Sequence, residues 1–595
     1  DFTSEYPSCC ANLELFKFLT AESIEFVDDT ENIKRFLASI TREKCYERKT
    51  WPDLNFVARV MPDGDTLPIR TVYDGQSQNI GNNYLRPNPI HPEPVYMAGP
   101  DLVGAVIQQP DRIPKIQKAF RVVPSGKQPG LRAVKLRGKV LIDPNDDSVD
   151  LFTTIIEERK RNKDDADLYY WLKILANSIY GFFVELIPEH FNKPKKVMVF
   201  SGDDEFPDSS RVIERQGKWL APYLATLITS AGRLLLAMLE VEVTSAGGTY
   251  LYCDTDSLAI VASEKGGSLG IPGAEGKRVL TWDEVDRIIA KFQALNPYDP
   301  ETVPDLLNLT DDNYVCKCSH DLKSEHDEAG RCQVRSCNCK ARKQVRQQLW
   351  GLAVAAKRYT LFEKVLDQSG QLLNIKIVNP KAHGIGFLYP PKDNPKNWKR
   401  DAPLWVYEMW DYIVRGFVGL KRTRPAWASL PQMMRFSVST WNVLKMLGMW
   451  EGARPHNFMF MVMTSKDYSF DFDFENKPSK KPMVIVPFSS KQSEWSNLEG
   501  FDIHNKDLGG RFRRYRMNDP DFHPLTYAHM MEEYIRHPEA KSLGPDGKPC
   551  TADTTKKRLR CGRRATISVW LPIVTKPGSA WSSTGEAARL YFQNP

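Results

Sequence analysis

Apolar residues recur at helical spacing in three long stretches of this chain and crowd at strand-like density around one group of acids. The first stretch, from about Leu13 to Leu37, predicts a helix. The second, Leu151 to Phe183, predicts a helix in two arms around the charged segment Glu157 to Asp167. The strongest runs from Lys218 to Val241, with Leu224, Leu227, Ile228, Leu234, Leu235 and Met238 on one face. Gly247-Gly248 follows it. Two β-rich arms then flank Asp254-Thr255-Asp256 within Thr249 to Val261, predicting a tight hairpin with its acids at the tip. Residues 1–8 read as a strand entering a proline-punctuated turn. Residues 50–145, rich in Pro, Gly and Asn, read as loops with scattered strands. The last third alternates helical stretches with polar loops.

Length and charge bound this picture. At 595 residues the chain exceeds one compact core, so several domains are expected. Its 42% apolar and 26% charged residues are ordinary for a globular protein. A net charge of +7 admits a nucleic-acid partner without requiring one. The basic residues concentrate at Arg511 to Arg516 and Lys556 to Arg564. The longest apolar candidate, Ala221 to Val241, is interrupted by Arg233, so no membrane span is predicted. Eleven cysteines without a framework spacing point to a reducing compartment, cytoplasmic or another intracellular one containing DNA. The sequence opens directly on a candidate site residue, Asp1, and is read as a fragment or one piece of a split gene.

The candidate chemistry lies in three short segments. Asp1, at a strand end, and Asp256, at a hairpin tip, can converge on divalent cations if their strands are neighbours. Carboxylate oxygens suit Mg²⁺, which takes one or two protein ligands together with substrate phosphates. Two such ions about 3.5–4 Å apart form a clamp for in-line phosphoryl transfer. Lys173, Asn177 and Tyr180, at spacings of four and three, share one helix face. A cation for phosphate beside a ring for a base makes a nucleotide platform.

These segments resemble the family B DNA polymerases. Asp1-Phe2-Thr3-Ser4-Glu5-Tyr6-Pro7-Ser8 resembles motif A, Asp-x-x-Ser-Leu-Tyr-Pro-Ser. Lys173 to Gly181 resembles motif B, Lys-x-x-x-Asn-Ser-x-Tyr-Gly, and Tyr252 to Ser257 resembles motif C, Tyr-x-Asp-Thr-Asp-Ser. Thr229-Ser230-Ala231-Gly232-Arg233 is similar to the Thr-x-x-Gly-Arg of the palm helix, and Lys357-Arg358-Tyr359 to the element touching the primer-template minor groove. The resemblance covers residues 1–8 and about 151–362.

The resemblance implies an α+β right-hand fold with an antiparallel palm sheet, helical fingers and a mostly helical thumb. The palm would occupy 1–150 and 183–365, the fingers 151–182, and the thumb and C-terminal region 366–595. It implies a DNA-directed DNA polymerase, in which a primer 3′-hydroxyl attacks a dNTP α-phosphate on a DNA primer-template with two Mg²⁺ ions. Asp1 and Asp256 would be metal ligands with the Phe2 carbonyl, and Asp254 a helper nearby. Backbone N–H groups of Ser4, Glu5 and Tyr6 would hold triphosphate oxygens, and the Tyr6 ring would exclude ribose. Arg159, Lys163 and Lys173 would bind phosphates, with Lys173 also protonating pyrophosphate. Asn177 and Tyr180 would line the nascent pair, and Gly181, Thr255, Lys357, Arg358 and Tyr359 would face the DNA.

Two features depart from the pattern. Glu5 stands where the family has Leu, which matters little if its side chain points away, and weakens nucleotide binding or demands another cation if it points inward. The exonuclease acids precede motif A in the family, so a separate N-terminal piece is an expected partner. Asp471-x-Asp473-x-Glu475 reads as a solvated strand face, not a proofreading site. The insert at 312–345 is a further element, with Cys316, Cys318, His320, His326, Cys332, Cys337 and Cys339 as candidate ligands of a structural Zn²⁺. Basic residues from Lys340 to Arg346 place that insert near phosphate. Two other readings are a decayed polymerase-derived DNA-binding protein and a reverse transcriptase, whose motif C is normally Tyr-x-Asp-Asp.

Overall fold

The structure, a computed structural model, describes residues 1–536 except 74–75, 86–93, 202–203, 255, 270–275, 317–336, 338–343, 356–357, 383–387, 389–397, 400–401, 433, 439–457, 465–482, 488, 490, 507–511, 517–523 and 525. Thr255, Lys357, Cys318, His320, His326, Cys332 and Cys339 therefore lie outside the described residues, as do 471–475 and 556–564.

The chain is mixed α+β with several small antiparallel sheets. Phe2 forms an isolated antiparallel bridge with Leu307, and Ser4 then turns the backbone through the left-handed region (φ 47°, ψ 57°) into α1 (Glu5–Asn12). The proline-punctuated turn expected over residues 1–8 is thus mostly helix. Pro7 sits in the first helical turn, where an N–H has no acceptor within the helix, so proline does not break it.

The helix expected over 13–37 is likewise divided, into α2 (Phe16–Thr20), β1 (Ser23–Asp28) and α3 (Thr30–Ser39), followed by the single turn α4 (Arg42–Cys45). Ile24, Phe26 and Val27 favour an extended backbone, and β1 finds a partner, so pairing prevails over the local helical spacing. Residues 50–145 are more regular than loops. They supply β2 (Phe56–Met61), the hairpin β3 (Asp65–Tyr73) and β4 (Gln76–Leu85), β5 (Val95–Ala98), α5 (Gly99–Gln108), β6 (Lys115–Ser125) and the small hairpin β7 (Val134–Leu136) and β8 (Val140–Ile142). One antiparallel sheet runs β1-β6-β2-β5.

The two predicted arms become α6 (Leu151–Arg161) and α7 (Ala166–Phe182). Asp150 caps the first by accepting from Phe152 and Thr153 N–H at 2.9 Å, and Asp165 caps the second through Leu168 N–H at 3.0 Å. A hairpin of β9 (Leu186–Ser201) and β10 (Asp204–Gln216) leads to α8 (Pro222–Ser245). Its Leu224, Leu227, Ile228, Leu234, Leu235 and Met238 all enter the core. It is the one helix among the described residues long and apolar enough to cross a membrane, and 72% of its apolar window is buried inside the protein. The predicted hairpin follows as β11 (Tyr250–Asp254) and β12 (Ser257–Ile260), with Asp254 opposite Ser257. Helix α9 (Trp282–Phe292) starts on a capping box of Thr281 and Glu284.

A single apolar core joins residues from Phe2 to Leu307, and a second gathers around Trp410, from Leu352 to Met531. The second contains α10 (Leu404–Phe417) and α11 (Tyr527–Arg536). The described part of 366–595 is not mostly helical: it carries a five-stranded antiparallel sheet of 434–438, 458–464, 483–487, 499–506 and 512–516. The basic run Arg513 to Arg516 is its edge strand, with Tyr515 buried between exposed Arg514 and Arg516. Charged residues on an edge also discourage pairing with another chain.

Candidate catalytic site

Three segments far apart in sequence meet at the start of the chain. The Phe2 N–H donates to the Asp256 carbonyl at 2.9 Å, joining the first residues to the hairpin tip. On the other side, Thr3 N–H donates to Leu306 O at 2.7 Å and Asn308 N–H to Asp1 O at 3.0 Å. The Phe2 ring anchors this segment, 2% exposed and edge-on to Phe292 at 5.4 Å. Asp1 is exposed and Asp256 half-buried. The Asp254 side chain is outside the described set.

Immediately after this segment, α1 presents a helix N-terminus. Ser8 N–H closes the first turn onto Ser4 O, and Ser8 Oγ donates to Thr3 O at 2.7 Å. The N–H groups of Ser4, Glu5 and Tyr6 have no acceptor among the described residues. Unpaired amides at the positive end of a helix attract anions. The left-handed Ser4, costing about 1–2 kcal/mol for a residue with a Cβ, is what lets strand pairing and helix meet within one residue.

Helices α6, α7 and α8 all pack on α1. Helix α7 buries Leu168, Leu172, Ala176 and Ile179, which leaves Lys173, Asn177 and Gly181 exposed and Tyr180 half-buried. Tyr180 meets Tyr6 with ring centroids 5.6 Å apart, so α1 and α7 touch through two aromatic rings. A Cβ built on Gly181 would meet nothing within 4 Å, leaving open space for an approaching ligand. Arg159, Lys160, Lys163 and Lys173 form no ion pair with a carboxylate among the described residues. Arg161 takes Glu157 and Glu158 instead. The Arg159 guanidinium lies 5.2 Å from the Tyr169 ring centre. Burial works to raise the Tyr169 pKa, but the charges of Arg159, Lys160 and Lys173 outweigh it and hold the phenol below its usual value. Burial, then Arg159 and Lys163, push Lys160 below the usual lysine range. Tyr169 and Lys160 fall outside the family pattern. Their lone signal in the sequence was proximity to Arg159 and Lys173 on facing helices.

Sequence reasoning also missed Asp101. From the first turn of α5 it grips Arg233 of α8 through two bonds, Nε–Oδ1 at 2.7 Å and Nη2–Oδ2 at 2.8 Å. Arg233 raises no demand on Tyr6 or Tyr180 directly, yet its charge reaches both. Asp101→Ala should cost about 2–3 kcal/mol, because the half-buried guanidinium loses its bidentate partner, and thermal denaturation checks this. Asp101→Asn, which keeps one acceptor, should cost less.

The Glu5 side chain points inward. It is 6% exposed, Oε1 is buried without a hydrogen-bond partner, and the carboxyl rests on Gly232 of α8. Burial foremost, then the charge of Asp256, raises its pKa to about 8 against a smaller opposing pull from Arg233.

The hairpin strand β11 also meets residues 358–366, since Tyr252 stacks on Tyr359 with centroids 3.7 Å apart. Arg358, expected at the DNA, is 1% exposed in the middle strand of a three-stranded sheet and lies in the interior. Cys316 is buried at the end of a short strand, 314–316, which pairs with 344–346, so the Cys/His insert springs from the tip of a two-stranded ribbon. Cys337 is half-buried.

Among the described residues, no three His, Cys, Asp or Glu side chains are gathered as a metal cage. Asp1 and Asp256 nevertheless fit Mg²⁺, which draws most of its ligands from water and phosphate. No family model matches this chain, and neither a curated protein nor a solved structure does.

Proposed function

We propose that the chain is a DNA-directed DNA polymerase that adds dNTPs to a primer 3′-hydroxyl. The observation that carries this reading is the Phe2–Asp256 hydrogen bond, which brings a motif A and a motif C from opposite ends of 255 residues to one point. The Tyr6–Tyr180 contact adds motif B to the same place. Asp1, Asp256 and the Phe2 carbonyl would hold Mg²⁺, which when bound acidifies the attacking hydroxyl and neutralises charge on the leaving pyrophosphate.

The remaining roles belong to the chain itself. The N–H groups of Ser4, Glu5 and Tyr6 donate to triphosphate oxygens at the α1 N-terminus. Arg159, Lys160, Lys163 and Lys173 would supply the opposing positive wall, and Lys173 would give a proton to pyrophosphate. Asn177 and Tyr180 line the base pair and exposed Gly181 faces the duplex, whereas Tyr359, expected there, is 4% exposed and stacked on Tyr252 in the interior. A structural Zn²⁺ held within the 312–345 insert is part of the same proposal, and elemental analysis of the purified chain tests it.

Extension of a labelled primer on a DNA template with Mg²⁺ tests the whole reading, with the Asp256→Ala chain as reference. Equal or better use of an RNA template would favour the reverse-transcriptase reading. Bound DNA without any extension would favour the decayed binder. Tyr6→Ala should raise ribonucleotide relative to deoxyribonucleotide incorporation on the order of 10²-fold, measured as the ratio of kcat/KM values. An unchanged ratio removes Tyr6 from sugar selection.

A further inference from the structure

Position five of the family's motif A is an apolar residue, and here it is an acid in an apolar place. An ionised carboxylate is stable in the interior only with a partner that satisfies its oxygens or cancels its charge; without one it takes up a proton. The structure offers Glu5 neither. Its Oε1 is buried with no hydrogen-bond partner. Arg233, the cation whose charge reaches it, already gives its Nε and Nη2 to Asp101. Asp256, the other charge that acts on it, is of the same sign.

The space around the carboxyl is specific. A Cβ on Gly232 would lie 2.9 Å from Glu5 Oε1 and 3.0 Å from Cδ, so a larger residue at this point of α8 would displace the carboxyl from its place in the seam between α1 and α8. The Phe2–Asp256 backbone bond holds the hairpin tip three residues before Glu5, and an unsatisfied buried carboxylate oxygen beside a second acid suits a hard divalent cation.

We propose that Glu5 is a divalent-cation ligand that, together with Asp256, holds a metal ion on the inner side of motif A. The inference rests on the reading of Asp256 as a metal-binding residue. It gives the acidic departure a purpose: the extra negative charge near the triphosphate is cancelled by a cation that the family pattern does not require. Glu5 reaches this ion from beneath, through its side chain, while its backbone N–H remains available to phosphate.

The test is Mn²⁺ binding to the full chain without DNA or nucleotide, followed by the loss of the free-ion electron paramagnetic resonance signal. The natural chain is compared with Glu5→Gln, Glu5→Leu, Gly232→Ala and Asp256→Ala. Tenfold or weaker Mn²⁺ affinity in both Glu5 variants, and in Gly232→Ala with every acid still present, is the expected result. Thermal melts in EDTA accompany each variant, and Glu5→Gln, nearly isosteric, serves if Glu5→Leu fails to fold. Natural affinity in both Glu5 variants, with binding lost in Asp256→Ala, overturns the Glu5 inference and leaves the Asp256 site standing. Natural affinity in all variants, Asp256→Ala included, overturns both.

Discussion

Replacing Asp256 with Ala should abolish Mg²⁺-dependent primer extension, by about 10³-fold or more, without unfolding the site. The size follows from removing a carboxylate from a two-ion clamp, where several kcal/mol of transition-state charge stabilisation are at stake and each 1.36 kcal/mol is worth tenfold. Preservation of the fold follows from the geometry. What ties the hairpin tip to the start of the chain is the Asp256 backbone carbonyl, which accepts from Phe2 N–H, and alanine keeps that carbonyl. The lost side chain is half-buried, so no large cavity opens. Extension rates and melting temperatures measured together give a clear reading. Extension that persists in the variant sinks the metal-site assignment, and a melting temperature many degrees lower would mean that the variant reports on folding instead.

The second large effect concerns stability in EDTA. The folded pKa of Glu5 is about 8 against an ordinary 4.5, so the folded state prefers the protonated acid. Stability from this group is fully present below about pH 4.5, falls as pH rises, and is lost once pH passes about 8. In that window the native chain holds one proton more than the unfolded one, which gives a slope of about −1.4 kcal/mol per pH unit. Glu5→Leu has no such slope. At pH 8 it should exceed the natural chain by on the order of 3 kcal/mol, and the two should converge toward pH 5. Denaturation curves between pH 5 and 8 measure the difference. Parallel pH profiles would mean that the Glu5 carboxyl is hydrated in solution.

Much of the candidate site was legible because its pieces are local. The acids of the hairpin tip, the two helical arms and the long helix α8 each follow from short patterns that need no distant partner to be recognised. The errors came where distant pairing decides. Residues 23–28 satisfy a helical spacing, yet become β1 because β6, nearly a hundred positions on, offers an antiparallel edge. Pro7 looked like a turn, but position within the first helical turn, not residue type, settles what proline does. Arg358 read as a surface cation because its motif is a contact motif, while the central place of its strand buries it. The direction of Glu5 was undecidable from sequence, since both outcomes share the same local pattern and Gly232 lies far along the chain. The Asp101–Arg233 pair left no signal either, because neither residue's neighbours encode the other.

The wedge of Asp1 to Thr3 between the hairpin tip and residues 306–308 has a consequence for synthesis on the ribosome. Asp1 and Phe2 need partners 307 and 254 positions later, so their pairings span nearly the whole core that joins Phe2 to Leu307. At roughly 5–20 residues per second, those partners appear about 15–60 s after Asp1 and Phe2 are made. Until then the opening strand and the unpaired amides of α1 have nothing to pair with, and a ring closure over such a span is slow compared with the helices around it. Nascent chains that stop before residue 308 should therefore hold formed helices without the Asp1–Asn308 pairing, which makes assembly of this segment a late step of folding.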